Sequence, residues 1–143
     1  MLRMFGYVTA DDTVHFPTAS LVVTQREVHT TFSVEVATSA EQIARGLMFR
    51  ESMDDRSGML FVLAKPQKVS MWMKNTPLAL DMIFADVDGN VKFIQRDTQP
   101  YSEELISYGD DIQYVLELNA GTASKLKISK EARISSLGLV PPR

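Results

Sequence analysis

The chain has 143 residues, 45% hydrophobic and 23% charged, which fits one globular domain with its own core rather than a disordered chain. Its 15 basic and 18 acidic residues leave a net charge of −3 with no long like-charge block, which argues against nucleic acid as a main partner. With no cysteine, disulfides, cysteine-ligated metals, iron–sulfur clusters and thiol catalysis are excluded.

No run approaches the roughly 18 apolar residues of a spanning helix. The first eight residues carry one basic residue, Arg3, and a short apolar patch that ends before Asp11-Asp12, which falls short of a complete signal peptide. Residues 1–18 read as a loosely attached lead-in, 19–136 as a single domain and 137–143 as a tail ending in Pro141-Pro142-Arg143.

In chain order, Phe32, Val34 and Val36 alternate with Ser33 and Glu35, a half-buried strand signal within a Val/Thr-rich stretch from 21 to 37. Ser39 and Gln42 form a capping-box pattern, Ile43 and Leu47 share a helical face, and Gly46 sits near the helix end. Residues 50–57 are loop-like, 58–63 an apolar strand and 69–74 a second extended segment beyond Pro66. Residues 80–86 and 91–96 flank Asp88-Gly89, a type I′ hairpin signal. The DxDGN of this turn lacks the remaining ligands of a calcium loop.

Residues 97–111 read as a long polar connection and candidate binding loop. A strand at 114–118, one or two helical turns at 122–126 and a last strand at 132–134 complete the series. The expected fold is α+β, mainly β: an antiparallel sheet curled into a small barrel-like domain, with one short helix after the first long strand.

Familiar catalytic signatures are scarce. His15 and His29 have no metal-ligand spacing, and neither G-x-S-x-G nor a glycine-rich phosphate loop occurs, so no metal or cofactor is expected. Six methionines fall between positions 48 and 82, which reads first as core packing and secondarily as a soft Cu(I) site. Strand alternation puts Asp81 with Ile83 and Ala85, and Glu117 with Val115, so each carboxyl enters apolar surroundings and needs a partner or a shifted pKa. Lys74, Arg45 and Arg50 are the available cations.

Two arrangements stay open. In one, Arg45, Lys74, Asn75, Thr76, Asp81 and Glu117 converge at a pocket mouth to grip a polar ligand or support acid–base chemistry. In the other, Asp81 or Glu117 pairs with Arg45 or Lys74 to brace helix on sheet, while Asn75 and Thr76 form a turn before Pro77.

Five blocks, Arg45-Gly46-Leu47-Met48-Phe49-Arg50, Gly58-Met59-Leu60-Phe61, Trp72-Met73-Lys74-Asn75-Thr76, Leu80-Asp81-Met82-Ile83-Phe84 and Val115-Leu116-Glu117-Leu118-Asn119-Ala120-Gly121, occur in an order and spacing that resembles domain-of-unknown-function family 192 over roughly residues 34–134. The resemblance implies a compact β-rich domain with a short helix, an extracytoplasmic setting for many bacterial members, and no established activity. Recurrent polar positions of the family fall on Arg45, Arg50, Lys74, Asn75, Thr76, Asp81 and Glu117. Residues 128–132 depart from the Gly-Asp turn common there.

The leading expectation is a small extracytoplasmic binding or accessory module with a polar-rimmed pocket around Lys74, Asn75 and Asp81 for an unidentified small ligand. The alternatives are a metal-independent hydrolase or lyase, with Asp81 or Glu117 as base and Lys74 as electrostatic stabiliser, and a structural or protein-interaction domain with no ligand.

Overall fold

The structure is a computed structural model that describes residues 2–3 and 14–136. Most of the expected lead-in and the tail at 137–143 lie outside the described residues. After β1 (Leu2–Arg3), the chain forms a hairpin of β2 (Thr18–Gln25) and β3 (Val28–Ala37), helix α1 (Ala40–Arg45), and the long β4 (Ser57–Met71). A second hairpin, β5 (Leu80–Ala85) and β6 (Val91–Gln95), precedes the long β7 (Ile106–Asn119), helix α2 (Thr122–Lys125) and β8 (Arg133–Ser136).

These strands make one curled, half-barrel sheet in the order β6-β5-β7-β4-β3-β2-β8, with β1 on β4. It is mixed rather than wholly antiparallel, because β1 and β3 both run parallel to β4. The mainly β, α+β class holds, with two short helices.

Local chemistry explains the elements. Ser39 caps α1 by accepting from the Gln42 amide, and the Gln42 side chain accepts from the Ser39 amide, the reciprocal pair that the sequence pattern predicts. The stretch from 21 to 37 is two strands turned at Arg26, which takes φ 56° with no glycine or proline to mark the corner. Pro66 does not divide β4. It lies where the β4–β7 register shifts between Val62 and Gln67, so no ladder bond is asked of its nitrogen. The buried Gln113 side chain donates to the Leu63 carbonyl at that irregularity. The last six residues of the connection expected at 97–111 are strand: residues 106–108 pair with 69–71, and the Ser70 and Ser107 hydroxyls meet at 2.6 Å.

The β5–β6 turn is also longer than the type I′ signal indicates. Asp86 and Asn90 close a three-residue loop in which only Gly89 is left-handed, at φ 84°, and the Asp86 carboxyl accepts from the Asp88 and Asn90 amides. The turn reaches across to β8, where Asn90 bridges Arg133, Val91 donates to the Ala132 carbonyl and Ile134 donates to the Gly89 carbonyl. The two ends of the sheet thereby meet in a seam.

Two cores result. One, drawn from β2 to β8, fills the inside of the curl around Phe32, Leu60, Ile83 and Leu116. The other covers the opposite face of β4, β5 and β7, where Ile43 and Leu47 pack on Met59, Phe61, Met71, Met82 and Phe84. The methionines are largely core residues, as the packing reading expects.

Gly89 is needed at the seam for shape as well as for φ. A Cβ there would stand 2.1 Å from the Ile134 carbonyl oxygen, whereas one at Gly121, φ 91°, would meet nothing within 4 Å. Gly121→Ala should therefore cost only the left-handed penalty of about 1–2 kcal/mol. Gly89→Ala should cost about 3 kcal/mol or more, since overpacking adds to it. Urea unfolding of the two variants measures the difference, and equal losses would contradict a tight seam.

Candidate functional site

Three connections converge over the second core. The 46–56 loop follows α1, the 72–79 segment links β4 to β5, and the 96–105 loop links β6 to β7. Hydrogen bonds lace them together: Phe49 N donates to the Asn75 carbonyl (2.7 Å), Tyr101 N to the Thr76 carbonyl (3.1 Å), and Met73 N to the Ser102 carbonyl (2.8 Å). Thr98 fastens the lacing from below, accepting from Leu80 N at 3.0 Å and lying 3.3 Å from the Met73 sulfur. The first loop is strapped to β3 by a two-pronged ion pair from Arg50 to Glu35, at 2.6 and 2.9 Å. Its far end is held by the Asn119 amide, which donates to the Met53 carbonyl at 2.7 Å.

Between these loops lies a cleft of about 310 Å³ lined by Phe49, Glu51, Asn75, Pro77 and Tyr101. Six non-glycine residues among those described have a positive φ, and three of them line this cleft: Phe49 at 67°, Asn75 at 56° and Tyr101 at 64°. Asparagine tolerates that conformation, and its place in the turn closed by Thr76 N on the Met73 carbonyl favours it. For the bulky Phe49 and Tyr101 it is strained backbone, of order 1–2 kcal/mol each.

The residues singled out from the sequence do not form one constellation. Asn75 lines the cleft, with its amide 3.9 Å from the Met48 sulfur. Thr76 is buried and its hydroxyl donates to the Lys74 carbonyl, so it shapes the turn. The Lys74 ammonium lies 3.9 Å from Glu103 and 5.2 Å from the Trp72 ring centre. The Arg45 guanidinium sits 4.9 Å over the Phe49 ring, on a wall of the cleft.

Asp81 points to the other core. Its neighbours Leu80 and Met82 belong to the loop-covered side, and its two oxygens accept from Asp97 N (3.0 Å) and Ala123 N (2.9 Å). It ties the exit of β6 to the first turn of α2, so convergence of Asp81 with Lys74, Asn75 and Glu117 is replaced by a backbone tether inside the curl.

Glu117 takes the opposite face, beside Met59 on β4 and Met82 on β5. Neither carboxyl joins an ion pair among the described residues. Desolvation, the one cause acting on Glu117, pushes its pKa up to about 8. Sequence reasoning missed Phe49, Glu51, Pro77 and Tyr101 as a group. A left-handed phenylalanine or tyrosine leaves no mark in composition or period.

The two carboxyls should respond oppositely to removal. Asp81→Ala strands the buried Ala123 N–H and the part-buried Asp97 N–H and should cost about 2–4 kcal/mol in equilibrium unfolding. For Glu117 the folded state keeps its proton between pH 4.5 and about 8 while the unfolded chain has released it. That stability is complete below pH 4.5 and falls as pH rises toward 8, by up to about 1.4 kcal/mol per unit. Glu117→Gln should lack this decline, so its advantage over the native chain should grow from pH 5 to 8 and then level off. A pH-independent difference would show that the carboxyl is not held neutral.

Among the described residues no helix is long and apolar enough to cross a membrane, and no group of three His, Asp or Glu side chains is placed to hold a metal ion. The fold and sequence match two solved structures over nearly their whole length. One, named a "putative transcription regulator" from Sinorhizobium meliloti 1021, is 36% identical with a TM-score of 0.86, covering 90% of this chain and all of that one. The other, a protein of unknown function from Novosphingobium aromaticivorans DSM 12444, is 29% identical with a TM-score of 0.80, covering 92% and 99%. No curated protein matches the chain. The model of one family spans residues 21–136, so the chain belongs to domain-of-unknown-function family 192, described as an uncharacterized ACR.

Proposed function

We propose that the protein is a small binding module whose ligand occupies the cleft between Phe49 and Tyr101, with an extracytoplasmic setting in keeping with the family. The carrying observation is the strain. Three left-handed non-glycine residues from three different connections line one cleft and are joined by hydrogen bonds between its walls. Strained backbone persists where the surroundings over-determine it, and such places concentrate at ligand sites. The lining supplies two aromatic rings and a proline for apolar contact, with the Asn75 amide and Glu51 carboxylate as polar anchors. That is the usual make-up of a small-molecule site.

Acid–base catalysis by Asp81 and Glu117 draws less support, because the two carboxyls lie on opposite faces of the sheet and both Asp81 oxygens are engaged. The name of the Sinorhizobium protein gives no ligand, and a net charge of −3 offers no electrostatic support for direct DNA contact.

Tyr101→Gly and Asn75→Gly test the reading. Glycine relieves the left-handed strain at position 101 but adds chain entropy to the unfolded state, so Tyr101→Gly should be neutral or up to about 1 kcal/mol more stable. A thermal-shift screen of small polar metabolites should find compounds that raise the melting temperature of the native chain. Both variants should lose most of that rise. A hit that stabilises native protein and both variants equally would place binding elsewhere. Marked destabilisation by Tyr101→Gly would show that its ring serves the fold.

A further inference from the structure

A second cavity lies at the seam, on the side of the sheet opposite to the loop-covered core. It measures about 210 Å³. Its apolar wall comes from Leu21 of β2, Leu60 of β4 and Ile134 of β8, all buried members of the core inside the curl, with Val87 of the β5–β6 turn at the lip. Four polar residues join this lining: Asp88 of the β5–β6 turn, Tyr114 of β7, and Arg133 and Ser135 of β8.

Arg133 is oriented but its charge is not neutralised. Its Nε donates to the Asp88 carbonyl at 2.9 Å, and it has no ion pair among the described residues. Asp88 also borders the cavity, yet it gives Arg133 its backbone oxygen and not its carboxylate. With Nε fixed, the terminal Nη groups keep donors for a planar acceptor. Tyr114 is half-buried against the inner core, and burial pushes its phenol pKa up, which keeps the hydroxyl a neutral donor.

We propose that the seam cavity is a second ligand site for a small aliphatic monocarboxylate, its carboxylate held by the Arg133 guanidinium and the Tyr114 hydroxyl and its tail against Leu21, Leu60 and Ile134. A cationic fork above a floor of Leu21, Leu60 and Ile134 favours an anion with a hydrocarbon tail over a plain anion or a plain alcohol. Size sets the tail. An apolar cavity of about 150 Å³ takes a benzene ring, so this one suits a chain of about six carbons with its head at the rim.

The experiment is a titration followed by amide chemical shifts, with hexanoate as probe and acetate and 1-hexanol as head-only and tail-only controls. Hexanoate should saturate and move the amides of Gly89, Arg133 and Ser135, with both controls at least about tenfold weaker. Arg133→Gln should weaken hexanoate about tenfold or more and leave 1-hexanol unchanged, Arg133→Lys should recover part of the loss, and Tyr114→Phe should weaken it severalfold.

Asn75→Gly, in the other cleft, should bind hexanoate as the native chain does, so the two sites stand or fall separately. The proposal is overturned if hexanoate leaves the seam amides unmoved, if 1-hexanol binds as well as hexanoate, or if Asn75→Gly abolishes the response. Undiminished binding by folded Arg133→Gln also overturns it. Should Arg133→Gln not fold, Tyr114→Phe and the amide map on native protein decide.

Discussion

Three adjacent strands, β5, β7 and β4, are buried on both faces over much of their length, and the rest of the molecule answers to that. β4, β5 and β7 each send alternate side chains into the core inside the curl and into the core outside it. The inner core is closed by the curl and the seam of the sheet together with Ala123 of α2 and Ile128 beyond it. The outer one has no second sheet to lie against, so α1 and the three long connections cover it. Covering a flat apolar face with loops requires sharp changes of direction, and three of those corners, at Phe49, Asn75 and Tyr101, stand around one opening. The cleft follows from the cover that the core demands.

The same two-sidedness decides the fate of the buried charges. Asp81 and Glu117 sit on adjacent strands, one residue out of register, since Met82 and not Asp81 lies opposite Glu117. That single step sends them to opposite faces. Asp81 arrives where two backbone N–H groups need an acceptor, so its burial is compensated and useful. Glu117 arrives among methionines and is held as a neutral acid instead. Equal burial produces a tether in one case and a suppressed charge in the other, and the difference lies in the donors each face supplies.

This shows how far the sequence could be read. Alternation at 80–86 and 114–118 assigned the faces of Asp81 and Glu117 correctly, and the capping box located α1 to within a residue. Pattern could not say that the two faces never meet, because alternation gives the face of a side chain and not what packs against that face. Pro66 looked like a boundary, since a register shift opposite it is a property of the partner strand. Ile106 to Asp111 looked like loop because their polar character suits the far end of β4, which nothing local records. The Arg26 and Tyr101 corners were silent because any residue can be forced left-handed when the chain around it leaves no choice.

The seam has a consequence for behaviour in company. A sheet in this order has two outer strands, β6 and β8, and an outer strand is a row of open donors and acceptors that invites another chain. Here the ends are turned toward each other, and at the point of contact the amides of Val91 and Ile134 and the carbonyls of Gly89 and Ala132 are already spoken for within the molecule. The short β8, four residues long, leaves little else to copy. By bending the sheet until its margins touch, the chain leaves fewer open edge groups there for another strand to pair with.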